Sequence, residues 1–443
     1  MRQIIILTFL GLLFYGCSSN NEAINSNEDD TAEDTTNDTP IEQSEPNILL
    51  IIADDFGLDA CPGYNLGTEK PSMPNLINLM NNGLKFNNVW SNPTCSPTRA
   101  GILTGKHGFK NGVVRAGQVL STSETSIQQF LDTNTNSAYS HAVVGKWHLA
   151  RTDSHPNDMG VDYFAGTNSN VDSYFNWTLN INGTTSNSTD YVTSKLTDLA
   201  INWIDNQTKP WFLWLAYNAP HSPFHVPPNN LHTQGALAAD QTSISNNPRP
   251  YYFAAVEALD TEMGRLLNSM TQAERDNTII IFIGDNGTPG QVAQDYHSRR
   301  AKGTVYQGGV NVPMIVSGNG VSRKNQSEDA LINSLDIFAT VADIAETGTS
   351  EIHDSKSFKS LLTSSNQSFK SFIFTEILND ESTKDVTIRN TTHKYIQFGD
   401  GNEALYNLSQ NALENPNLMQ STLSASDETI KNTLESELQN IID

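Results

Sequence analysis

Four apolar runs in this sequence each stop at residues able to ligate a metal or carry a proton. Asn47-Ile48-Leu49-Leu50-Ile51-Ile52 leads to Asp54-Asp55, and Ala142-Val143-Val144 to Gly145-Lys146-Trp147-His148. Trp211-Phe212-Leu213-Trp214-Leu215 leads to Ala219-Pro220-His221, and Thr278-Ile279-Ile280-Ile281-Phe282-Ile283 to Gly284-Asp285-Asn286-Gly287. Runs that are apolar throughout suit strands buried on both faces of a parallel sheet. In open α/β sheets the site lies beyond the carboxyl ends of the strands, so these four groups are expected to converge. A fifth feature lies between them. Pro97 suits the first turn of a helix, so Cys95 sits just before a helix N-terminus, where unpaired N–H groups favour an anion. Arg99, a turn later, can point back towards it. On these grounds alone, a small buried cysteine before an ordinary helix reads equally well.

The elements that must hold these residues are legible around them. Met73, Leu76, Leu79 and Met80 fall at helical spacing before Gly83, which reads as the C-cap. Residues 190–206 and 250–270 read as amphipathic helices, the first with Leu196, Leu199, Ala200, Trp203 and Ile204 on one face. Beyond about residue 365 the pattern becomes strand-like at 372–374, 386–388, 394–398 and 405–406, and a last helix covers roughly 426–442. The expectation is an α/β fold with a large, mostly parallel sheet between helices and a smaller C-terminal antiparallel sheet with a helix. There is no internal repeat.

With 443 residues the chain has ample material for a buried core. Its 26 Lys+Arg against 49 Asp+Glu, a net charge of -23, exclude a general nucleic-acid binder, which needs a basic phosphate-tracking surface. Three cysteines exclude a disulfide-rich scaffold. The acidity is uneven: nine acidic residues and no Lys or Arg fall within 18–46, so a local cationic pocket remains open to the rest.

Met1-Arg2 precedes an apolar run over 4–14 that ends at Tyr15-Gly16-Cys17. A short basic start and a brief apolar core read as a secretory signal, too short to span a bilayer. Gly16 directly before Cys17 resembles a bacterial lipoprotein cleavage box, which makes Cys17 the lipidated new N-terminus. An ordinary signal peptide with an incidental cysteine is the alternative. Residues 18–45, rich in Asn, Asp, Glu, Ser and Thr, read as a disordered acidic tether. The domain reading is then 1–17 signal, 18–45 tether, 46–365 catalytic α/β domain and 366–443 C-terminal α+β subdomain.

The string Cys95-Ser96-Pro97-Thr98-Arg99, followed by Leu103-Thr104-Gly105, resembles the signature of the type I, formylglycine-dependent sulfatases of the alkaline phosphatase superfamily. The resemblance extends over nearly all of 46–420. It includes Asp54-Asp55 with Gly57, Gly145-Lys146-Trp147-His148, Pro220-His221, Asp285-Asn286-Gly287, Lys302-Gly303-Thr304 and Leu405-Tyr406-Asn407-Leu408. It implies an alkaline-phosphatase-like fold and the oxidation of Cys95 to formylglycine by a maturase during export. It also implies one Ca²⁺ held by Asp54, Asp55, Asp285, Asn286 and the modified residue 95, an all-oxygen set that suits a hard cation. Lys146, Lys302 and His221 would bind sulfate. His221 or Lys302 would protonate the departing sugar oxygen, His148 would take the proton that expels sulfate, and Arg99 would anchor the nucleophile.

The activity so implied is sulfate-monoester hydrolysis by a gem-diol on residue 95, on sulfated polysaccharides such as ulvan, carrageenan or fucan, or on glycosaminoglycans. The enzyme would be exported and lipid-anchored at a bacterial outer membrane or in the periplasm. The alternatives are a phosphoesterase or phosphonate hydrolase on the same scaffold, and an inactive glycan-binding surface lipoprotein. Ala138, His141, Lys106-His107 and Asn311 depart from the family's usual residues, which bears on substrate rather than reaction. Arg115, His225, Tyr296, His297, Arg299 and Arg300 lie near the motifs and are candidates for substrate contact. Cys61 reads as a small packed thiol, and His155, His232 and His353 as surface residues.

Overall fold

A computed structural model describes residues 45–365, 369–380 and 382–443. The expected signal, the Cys17 expected to carry lipid and the expected tether up to residue 44 lie outside the described residues. No described helix is long and apolar enough to cross a membrane.

The large sheet has ten strands. In chain order they are β1 (Asn47–Ala53), β2 (Gly83–Phe86), β3 (Ser140–Lys146), β4 (Tyr163–Thr167), β5 (Trp177–Ile181), β6 (Thr184–Ser188), β7 (Trp211–Tyr217), β8 (Thr278–Gly284), β9 (Met314–Gly318) and β10 (Gln326–Glu328). Across the sheet they run β10-β2-β9-β8-β1-β7-β3-β4-β5-β6. The centre, from β8 through β1, β7 and β3 to β4, is parallel. Antiparallel pairings lie towards both edges, making the whole sheet mixed. The four apolar runs are thus four adjacent parallel strands, and their carboxyl ends share one edge.

Every residue of β1 is buried. Ile48, Leu50 and Ile52 pack into the core on one face of the sheet, and Leu49 and Ile51 into the core on the other. Burial on both faces is why the run shows no polar alternation.

Helices α1 (Pro74–Asn81), α2 (Cys95–Thr104), α3 (Val192–Ile204) and α4 (Arg249–Ser269) follow the expected spacing. Gly83 corrects one expectation: Asn82 takes the C-cap position of α1, and Gly83 opens β2. At the other end of α1, Met73 makes no side-chain cap. Asp260 on α4 accepts instead from the backbone N–H groups of Asn75 and Leu76, at 3.0 and 2.8 Å. Two distant helices are thereby joined by a cap that no local pattern announces.

The C-terminal sheet is four antiparallel strands in sequence order, β11 (Ile373–Leu378), β12 (Lys384–Arg389), β13 (His393–Gln397) and β14 (Glu403–Asn407). Leu434 and Leu438 of the last helix, α5 (Ala425–Ile442), complete its core with Val386, Ile388, Tyr395 and Leu405.

Candidate active site

Beyond the ends of β1 and β8, Asp54, Asp55, Asp285 and Asn286 lie together and fully buried. Asp55 takes a left-handed backbone (φ 69°), which is unusual for a residue with a side chain. The turn is secured from several directions. The Asp55 N–H donates to Asp285 Oδ1 at 3.0 Å, Asn286 Nδ2 donates to Asp55 Oδ1 at 2.8 Å, and the Tyr252 hydroxyl on α4 donates to the Asp55 carbonyl at 2.8 Å. Gly287, the next residue, has no room for a Cβ, which would fall 1.8 Å from the Gly308 carbonyl oxygen.

Three cations meet these three carboxylates. Lys146 pairs with Asp54, Lys302 with Asp55 at 2.6 Å, and Arg99 with Asp285 at 2.8 Å. Burial by itself would raise the Asp54 carboxyl, but Lys146, His221, Arg99 and Lys302 together hold it well below the usual carboxylate range. Burial, and then the neighbouring Asp54 charge, push Asp285 up.

Even so, Asp54 Oδ1 and Asn286 Oδ1 are buried without a hydrogen-bond partner. Orphaned buried acceptors are costly unless something positive meets them. One ligand atom each from Asp54, Asp55 and His221 also falls within a 4.8 Å spread. The donor chemistry therefore fits a hard cation on Asp54, Asp55, Asp285 and Asn286.

Cys95 is the first residue of α2 rather than the residue before it, because Thr94, in extended backbone, takes the N-cap position. Its Sγ lies 3.1 Å from His148 Nδ1. Burial pushes the Cys95 thiol up and pushes His148 down to about 3, with Lys146 adding to the second shift. His148 is also left-handed (φ 59°). Its carbonyl accepts from the Ser96 hydroxyl at 2.8 Å, so helix start and imidazole are tied together. Arg99 is fully buried one turn on, and its Nη1 donates to the Lys146 carbonyl at 2.5 Å.

His221 is less buried. Its Nδ1 donates to the Ser222 carbonyl at 2.6 Å, because a carbonyl can only accept, which leaves Nε2 facing Asp55 Oδ2 at 3.7 Å. All the residues singled out in the described sequence as catalytic, anion-binding or metal-ligating thus gather at one sheet edge.

The outlying candidates divide. Tyr296, His297, Arg299 and Arg300 line one groove of 590 Å³. Arg300 is engaged structurally there: it lies over the Tyr306 ring at 4.5 Å and donates to the Glu414 carbonyl at 2.8 Å. Arg115 is not among that groove's residues. His225 stacks on Tyr174 with ring centroids 3.9 Å apart.

His155 corrects its surface reading, being buried. It accepts from Trp147 Nε1 at 3.1 Å and donates to the Leu120 carbonyl at 2.9 Å, orienting the residue between Lys146 and His148. Two supports went unread in the sequence, Tyr252 behind Asp55 and Tyr174, whose hydroxyl lies 2.8 Å from the His221 carbonyl. Each is a single aromatic far away in the chain, and no motif marks it.

An open α/β sheet with this acidic, cationic and thiol cluster at its carboxyl edge is the arrangement the resemblance implied. The chain belongs to the sulfatase family, whose sequence profile matches residues 46–347. It is similar to the uncharacterized sulfatase YdeN of Escherichia coli (strain K12), 28% identical over 370 residues, or 70% of this chain and 64% of that one. The chain spans 64%, 53% and 65% of the lengths of three curated relatives it matches.

Its fold is similar to that of Ps i-CgsB in complex with k-i-k-neocarrahexaose, with TM-score 0.74, 24% identity and coverage of 90% of this chain and 93% of that one. It is also similar to BT4656 in complex with its substrate D-glucosamine-2-N,6-O-disulfate, with TM-score 0.72, 19% identity and coverage of 90% and 98%.

Proposed function

We propose that the protein hydrolyses sulfate monoesters on a sulfated glycan or its oligosaccharides, with Cys95 converted to formylglycine as the nucleophile. The observation that carries this reading is the position of Cys95. It starts a helix 3.1 Å from His148 Nδ1, and that helix's Arg99 is bonded to Asp285 within the acidic cluster. The sugar class is suggested by the neocarrahexaose bound to Ps i-CgsB and the D-glucosamine-2-N,6-O-disulfate bound to BT4656.

Hydrated formylglycine would supply two hydroxyls on one carbon, the first to attack sulfur and the second to open a route for sulfate release. A hard cation such as Ca²⁺ on Asp54, Asp55, Asp285, Asn286 and residue 95 would supply positive charge beside that nucleophile. Lys146 and Lys302 hold the sulfate oxygens as fixed cations, with His221 beside them. His221 gives a proton from Nε2 to the departing sugar oxygen, with Lys302 as the other candidate donor. His148, neutral because burial disfavours its charged form, accepts at Nδ1 the proton of the second hydroxyl. Arg99 holds the helix that carries residue 95.

The protein is exported by this reading and anchored through lipid on Cys17. Incorporation of labelled fatty acid that persists in Cys17→Ser would contradict the anchor. The activity is tested by measuring sulfate released from sulfated galactan, fucan and glycosaminoglycan oligosaccharides. Release of phosphate from phosphate esters with none of sulfate would contradict the reading and favour the phosphoesterase.

A further inference from the structure

The stretch of chain that leaves the end of β4 touches both histidines of the site. Lys146 on β3 is in register with Thr167, the last residue of β4. From there the His148 N–H donates to the Asn168 carbonyl at 3.1 Å. Six residues on, the Tyr174 hydroxyl lies 2.8 Å from the His221 carbonyl and 2.7 Å from that of Asn218. Residues 168–177 therefore run from one site histidine to the other.

This stretch lines a cavity of 440 Å³, which falls in the ordinary range for small-molecule sites. Among the lining side chains Asn170, Asn176 and Asn187 offer amides, those of Asn168 and Asn180 being bonded to each other, to Asp153 and to the Gly183 N–H, and Asp172 is the one charged group. Amides donate and accept side by side, as pairs of sugar hydroxyls do. None of the lining side chains is cationic, in contrast to Lys146 and Lys302 at the adjoining cluster. A second sulfate or a uronate would meet Asp172 with no compensating charge.

Phe175, directly before the lining residue Asn176, is 41% exposed. Scattered exposed apolar side chains are ordinary. This ring is held, however, by Tyr191 at 5.2 Å and by His225 at 6.0 Å, in the aromatic group that contains Tyr174. A braced aromatic face gives apolar contact area with little entropy to lose.

We infer that residues 168–177 form a subsite for an uncharged sugar ring next to the sulfated one, with Phe175 as its stacking face and Asn170 and Asn176 as its hydroxyl partners. This inference rests on the sulfatase reading above.

The test uses the full chain and compares initial rates on monosaccharide sulfates with rates on sulfated galactan, fucan and glycosaminoglycan tetrasaccharides. The preferred tetrasaccharide is expected to carry an uncharged, unsulfated sugar beside the one that loses sulfate. Phe175→Ala is expected to raise KM for it about tenfold, while kcat and monosaccharide-sulfate turnover stay within about twofold. A preferred substrate flanked on both sides by uronate or sulfated sugars overturns the inference, and so does an unchanged KM. Absence of sulfate release from every substrate, monosaccharides included, overturns the sulfatase reading and this inference with it.

Discussion

Arg99 and Asp285 form a buried pair in which Nε and Nη2 of the guanidinium both reach one carboxylate oxygen, at 3.2 and 2.8 Å. Nη1 of the same group donates to the Lys146 carbonyl at 2.5 Å. One side chain of α2 thus joins the turn after β8 to the end of β3. Removing one member of a buried pair leaves the other uncompensated. Arg99→Ala is expected to lose about 3–5 kcal/mol of stability, measured by urea unfolding, together with sulfate release. Arg99→Lys keeps the charge and loses the fork, and is expected to fall between the two. A lysine variant as stable and active as the parent would show that the fork is not needed.

The unpartnered oxygens of Asp54 and Asn286 give a separate prediction. Removing divalent cations with a chelator is expected to lower the melting temperature and abolish sulfate release, and Ca²⁺ to restore both. A cation at a hundred times its Kd would add about 2.7 kcal/mol of stability. Asp54→Ala should lose this response while remaining folded. Stoichiometric zinc by elemental analysis, with activity that zinc alone restores, would contradict the calcium assignment.

Lys146 and Lys302 are the fixed cations proposed for sulfate. Substituting either by Ala is expected to cost about 2.7–4 kcal/mol of transition-state stabilisation, as for loss of one preorganised donor, measured as kcat/KM. His148→Ala should differ in kind and let a sulfated form of residue 95 accumulate. Mass spectrometry of the residue 95 peptide after mixing with substrate reads this directly. If that adduct never forms while the first turnover proceeds, His148 does not act at the release step.

Burial pushes His225 down to about 4, against the modest upward pull of its bond to the Pro223 carbonyl. An unfolded histidine takes its proton near pH 6.5. Between about pH 6.5 and 4 the unfolded state therefore binds more protons at this ring than the folded state does. The sign follows: the contribution is full above pH 6.5 and is lost as pH falls towards 4. His225→Phe is expected to flatten part of the decline in unfolding free energy over that window. An NMR titration in which the His225 ring protonates near pH 6.5 would contradict this.

Much of this site was legible because its strands are. The runs at 47–52 and 278–283 show no polar break since both faces of the sheet are covered, and a parallel centre sends their ends to one edge. Local pattern could not show Asp260 capping α1 from 185 residues away in the chain, nor Tyr252 reaching the Asp55 carbonyl. The left-handed backbones of Asp55 and His148 were hidden for a related reason. Non-glycine residues hold that conformation only when the surroundings over-determine it, and those surroundings are assembled by tertiary contacts. Gly83 looked like a helix end because composition cannot tell a C-cap glycine from one that begins a strand.

The most direct measurement of the central claim compares activity with the chemical state of residue 95. Preparations made with and without a formylglycine-generating maturase would be digested, and the fraction of the residue 95 peptide carrying an aldehyde measured by mass spectrometry alongside sulfate release. Activity is expected to rise in proportion to that fraction, with Cys95→Ala inactive. Full activity in a protein whose Cys95 peptide retains its sulfur would contradict the account.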